Sequence, residues 1–132
     1  MPLGSHARRG DVHRTKRFAF GALALAFAGV AAFHAVAVAR PDLAPPSPQG
    51  RHALFAAINT VVAIGMVVRP RSFVFAFAAL TAQQLVSHGS TAWSAWAEGR
   101  RVDVVSLLVV VAMPAVLLAL VIDARRLDAP RN

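Results

Sequence analysis

The chain has 132 residues, of which 57% are hydrophobic and 15% charged, with a net charge of +8 and no cysteine. That is too apolar for a soluble helical domain, in which each helix carries a polar stripe. The missing cysteine removes disulfides, thiol catalysis and thiolate-held metals or clusters. The positive charge does not point to nucleic acid. Its carriers are arginines apart from Lys16, and nearly all of them flank apolar runs. There they act as topology signals and attract anionic lipid at about 1 kcal/mol each. Membrane lipid is therefore the expected surrounding.

Four apolar runs organise the chain, at 18–39, 53–68, 72–87 and 104–122. A hydrocarbon core about 30 Å thick takes ~20 helical residues to cross. The outer two runs meet that length, and the middle two need flanking residues to reach it. The expected fold is all-α: an integral membrane four-helix bundle in up-down order, as one compact domain because the breaks are short. Residues 1–17 form a basic cytoplasmic tail, 18–122 the transmembrane domain and 123–132 a second cytoplasmic tail.

The tail bears Arg8, Arg9, Arg14, Lys16 and Arg17. The first run resembles a secretory signal, with Ala37-Val38-Ala39 as a cleavage-like triplet, but it exceeds the usual apolar length of roughly 7–15 residues. It reads as an uncleaved helix. Ala24, Ala28, Ala31 and Ala35 make a small-residue stripe along it, which allows close helix packing in lipid. The next break holds Pro41, Pro45, Pro46 and Pro48 and is expected to be extended. Arg69-Pro70-Arg71 stops the second helix and starts the third at once, predicting a tight antiparallel hairpin of helices two and three. Residues 89–101 read as the longest loop, with Trp93 and Trp96 on one face of a short interfacial helix. In the last run, Pro114 cannot donate to the Val110 carbonyl and predicts a kink. No internal repeat stands out.

Basic residues sort to alternate sides as 10 against 4, with both tails and Arg69/Arg71 on the rich side. The positive-inside rule then places both termini in the cytoplasm. Arginine over lysine, and abundant alanine, resemble the product of a GC-rich bacterial genome. The expected location is thus a bacterial cytoplasmic (inner) membrane.

With this topology, polar groups at membrane depth all fall toward the outer side: His34, His52, Asn59, Gln84, His88, Asp103 and Ser106. His52 and Asn59 share one helix face; Thr81, Gln84 and His88 share another; Asp103 and Ser106 lie on a third. Converging faces would line an outward-opening cleft. Each residue also has a plain role. Asn59 and Gln84 can bridge helices, His52 and His88 can be solvated at helix ends, His34 can make a structural hydrogen bond, and Asp103 can cap the fourth helix.

Two function classes follow. One is a non-enzymatic accessory subunit of a membrane complex, or a homo-oligomer, suited by the near absence of extramembrane domain, the short middle runs and the small-residue stripe. The other is a redox or ligand-binding membrane protein holding haem b, a quinone or a metal ion through the outer histidines. The layout resembles small four-helix membrane families such as the DoxX group. His34 with His88 on facing helices is similar to the haem-ligating plan of membrane b-type cytochromes. Ser87-His88-Gly89-Ser90-Thr91 lacks the Gly-x-Ser-x-Gly elbow that would support a hydrolase.

Overall fold

The computed structural model describes residues 5–43 and 48–128, with side chains at 5–14 and 126–128 excepted. The side chains of Arg8, Arg9, Arg14 and Arg126, together with Pro45, Pro46 and Arg131, lie outside that description. Four α-helices account for most of the chain: α1 Ser5–Ala39, α2 Gln49–Val68, α3 Phe73–Gly99 and α4 Val104–Asp128, with a short 3-10 turn at Pro41–Leu43. Among the described residues, three stretches are long and apolar enough to cross a membrane: Thr15–Ala39, Gln49–Val68 and Val104–Arg125. The third helix is long enough, but Gln83, Gln84, Ser87 and His88 dilute its apolar character below theirs.

Helix bounds differ from expectation in instructive places. The second helix begins at Gln49 and so attains 20 residues, because Pro48 sits just ahead of it in an extended conformation. The first helix continues back to Ser5, absorbing most of the basic tail. The largest correction concerns residues 89–101. They are not a loop: α3 runs through them to Gly99, leaving only residues 100–103 as the connection. Trp93 and Trp96 therefore stand on α3 itself and not on a separate interfacial helix.

The chain divides into two compact units, Met1–Arg69 and Pro70–Asn132. Each unit is a helix pair, α1 with α2 and α3 with α4. A short turn over residues 69–72 joins the two units.

In the first unit, α1 and α2 are antiparallel, since His34 near the end of α1 meets His52 near the start of α2. At the opposite end, the Arg69 guanidinium lies 4.9 Å from the Phe20 ring centroid. The covered positions of α1 include Phe20, Ala24, Phe27, Ala31, His34 and Ala37, and those of α2 include His52, Phe55, Asn59, Val62 and Met66, with Gly65 beside Met66. Steps of three and four repeat throughout, which is the spacing of a left-handed helix seam. Only half of the alanine stripe belongs to it: Ala24 and Ala31 are buried, whereas Ala28 and Ala35 are exposed.

The second unit follows the same rule. On α4 the covered positions are Ser106, Val110, Met113, Leu117, Leu120 and Ala124. Pro114 lies inside this helix, where its nitrogen leaves the Val110 carbonyl without the usual partner. Both α2 and α3 end on an arginine in the left-handed region, Arg69 at φ 49 and Arg100 at φ 51. That conformation costs a side-chain-bearing residue about 1–2 kcal/mol. A cation at a helix C-terminus, stacked on an aromatic ring, offsets part of it.

Candidate functional site

Each unit carries a polar pair where its two helices meet near the connecting segment. In the first, His34 Nδ1 and His52 Nδ1 are 2.9 Å apart. One nitrogen must carry the proton and the other accept it. The His34 ring stacks on Phe55, with centroids 5.4 Å apart, and meets Phe33 edge-on at 5.3 Å. These aromatic walls are set by helical spacing, Phe55 lying one turn after His52. The far nitrogen of His52, Nε2, is buried without a partner among the described residues. Asn59 does not join the pair. Its amide donates back to the Phe55 carbonyl at 2.8 Å, within its own helix.

In the second unit, Asp103 caps α4, as its position just ahead of the helix predicts. Its Oδ1 accepts from the Ser106 N–H at 3.1 Å, and its Oδ2 accepts from the Ser106 hydroxyl at 2.6 Å. The Ser106 Oγ also lies 3.1 Å from His88 Nδ1. A hydroxyl has one proton, and here the carboxylate takes it. His88 must then donate from Nδ1 to the serine oxygen. This polarity is opposite to that of a base-activated serine, where the imidazole accepts the hydroxyl proton. Ser106 is thus a structural link between helices. Gln84 sits half-buried on the same α3 face, and its amide bonds the neighbouring Gln83 side chain at 3.0 Å.

The Asp103 carboxyl is held below its ordinary range. The Ser106 hydroxyl contributes most, then the Ser106 and Val105 backbone N–H groups and the nearby His88 ring, against a smaller opposing effect of burial. A depressed folded value means that the cap stabilises fully above the unfolded carboxylate value near 3.9 and fades as pH falls through the folded one. Thermal unfolding followed from pH 7 to 3 should therefore show an acid-side loss in the wild type that is smaller in Asp103→Asn. Asparagine also caps helices but does not titrate. Equal acid sensitivity in the two proteins would refute this role.

The seven residues expected at the site thus fall into two sets. His34, His52 and Asn59 lie in the first unit, and Gln84, His88, Asp103 and Ser106 in the second. Sequence reasoning placed His34 and His52 on the same side without pairing them directly, and it missed the Phe33 and Phe55 walls. One signal was available. A register of 54 residues carries His34 onto His88 and His52 onto Ser106, and both pairs are 18 residues apart. The two hairpins repeat one arrangement even though their sequences do not repeat.

Among the described residues, no three of His, Cys, Asp or Glu gather as a metal-binding group. A closed four-ligand zinc centre would need such a group. Comparison with family models, with curated proteins and with solved structures finds no match.

Proposed function

We propose that the chain is a small four-span protein of a bacterial cytoplasmic membrane, with both termini inside. It has no catalytic role of its own and packs as an accessory subunit of a membrane complex or as a homo-oligomer. The carrying observation is the surface left over after each helix pair has used its one seam. Leu25, Val61, Phe75 and Val111 are among many large apolar side chains exposed along all four helices. On α1, Ala28, Ala32, Ala35 and Ala39 form an exposed small-residue stripe, a surface on which another helix backbone can approach closely.

Native mass spectrometry of the protein extracted mildly from its own membrane tests this reading. A stable hetero-complex or homo-oligomer is expected. A lone monomer under conditions that preserve known membrane complexes would contradict it.

A second reading, ligand binding, is favoured by the orphaned Nε2 of His52. The His34 and His52 Nδ1 atoms, as hydrogen-bonded to each other, are too close to hold a haem iron between them. Metal–imidazole bonds of about 2.0–2.1 Å would put two axial nitrogens ~4 Å apart, and these stand at 2.9 Å. A metal ion would find only two side chains at His34–His52. A quinone carbonyl suits the orphan best, because it accepts one hydrogen bond from Nε2 beside apolar and aromatic walls. His52→Leu is then expected to weaken retention of an added quinone about fivefold, the worth of one hydrogen bond of ~1 kcal/mol. Unchanged retention would exclude this version.

A further inference from the structure

The end of the second hairpin has a feature that neither reading uses. His88 and Ser106 stand level, because their side chains bond. Beyond His88, α3 continues through Gly99, whereas α4 has only two residues before Ser106. At 1.5 Å per residue, α3 therefore overshoots the start of α4 by roughly 10–13 Å. Residues 100–103 must run back along α3 to reach α4, and extended chain covers that distance at about 3.3 Å per residue. A groove of about 370 Å³ opens beside this returning segment.

The groove is polarised along the helix axes. At one end of its mainly apolar lining stand Arg101 and Asp103, which are not salt-bridged to each other; the Arg101 guanidinium rests beside Gly99, at the edge of the groove. Its floor descends through Leu107 and Val110 on α4, with Trp93 and Gly89 on α3 forming the opposite wall. A Cβ built on Gly89 would meet nothing within 4 Å, so the space beside it is open. Arg101 brings a planar fork of donors suited to phosphate. Asp103 already accepts from the Ser106 hydroxyl and from the Ser106 and Val105 N–H groups, yet a carboxylate offers about four acceptor directions and one remains. Opposite charges at one end and apolar walls below fit one kind of molecule: an amphiphile with a phosphate, an ammonium group and a hydrocarbon tail.

We propose that this groove binds a zwitterionic aminophospholipid of the phosphoethanolamine class, its phosphate on Arg101, its ammonium on Asp103 and an acyl chain along Leu107 and Val110. A primary ammonium, unlike a quaternary one, can donate hydrogen bonds to the carboxylate. An aromatic cage for a quaternary head is poorly supplied, because the Trp96 ring already carries the Arg100 guanidinium at 5.5 Å.

Trp93 and Trp96 are the only tryptophans in the chain, so their fluorescence reports the groove directly. The full chain is reconstituted in phosphatidylcholine vesicles. Chain-brominated phosphatidylethanolamine, phosphatidylglycerol or phosphatidylcholine is then added at matched mole fractions. Brominated phosphatidylethanolamine is expected to reach half-quenching at about fivefold lower mole fraction than the other two, roughly 1 kcal/mol of preference. Asp103→Asn, which keeps a capping side chain, should erase that preference, and Gly89→Leu should do so by filling the groove. An excess of tail-less glycerophosphoethanolamine should leave quenching unchanged. Equal quenching by the three lipids, strongest quenching by phosphatidylglycerol, or an intact preference in Asp103→Asn would overturn the proposal. Relief of quenching by the tail-less compound would also overturn it, since the site would then read a soluble headgroup.

Discussion

Val111→Arg is expected to disfavour membrane insertion of α4 by about 2.5–3.5 kcal/mol, the cost of an arginine near the centre of a spanning helix. Val111 is 69% exposed and lies in the middle part of the apolar stretch Val104–Arg125. Exposure makes the test sharp. On a protein surface in water, such a substitution falls within about ±0.5 kcal/mol. The large cost arises only if the surroundings of Val111 are hydrocarbon. An insertion assay with α4 between reporter sites measures the change as a shift in the inserted fraction. A shift under about 0.5 kcal/mol would show that this face of α4 does not meet lipid.

The second large effect lies in the polar link of the second hairpin. Ser106 is 3% exposed, and its hydroxyl joins Asp103 to His88. Ser106→Ala is expected to destabilise the α3–α4 pair by about 1–3 kcal/mol, because two partners are left without their bond in a covered site. The added substitution His88→Leu should recover part of that loss, since an absent donor is cheaper than a buried unsatisfied one. Thermal or denaturant unfolding of the two single variants and the double variant in detergent gives the coupling directly. Strict additivity would mean that the His88–Ser106 contact contributes nothing.

The sequence made some of this visible and hid the rest for physical reasons. Long apolar runs bounded by arginines are hard to mistake, and the ends of α1 at Ala39 and α2 at Val68 and the start of α4 at Val104 agree with them. Asp103 was legible as a cap because it stands immediately ahead of a strong run. Helix pairing was not legible. Alanines occur on every face of α1, so a stripe of small residues could be drawn at several angles. The seam in use mixes Phe20 and Phe27 with Ala24 and Ala31. The end of α3 was hidden for a different reason. Gly89, Ser90 and Thr91 read as loop residues by propensity, yet helix persists through them. The hydroxyls of Ser90 and Thr91 both donate to the Ser87 carbonyl at 2.9 Å, so these side chains are satisfied without leaving the helix. Conversely, the His34–His52 contact follows once α1 and α2 are known to be an antiparallel pair, because both residues lie within two turns of the same connection.

The helix on which the membrane reading turns is α3, the one of the four without a stretch apolar enough to cross a membrane among the described residues. Because the chain has no cysteine, single cysteines at Asp42, Ser72, Glu98 and Arg125 report topology cleanly. In intact cells treated with a membrane-impermeant maleimide, the account predicts labelling at positions 42 and 98 and protection at 72 and 125. Labelling at 72 and 98 together, or protection of both, would place the two ends of α3 on one side and contradict the four-span membrane fold.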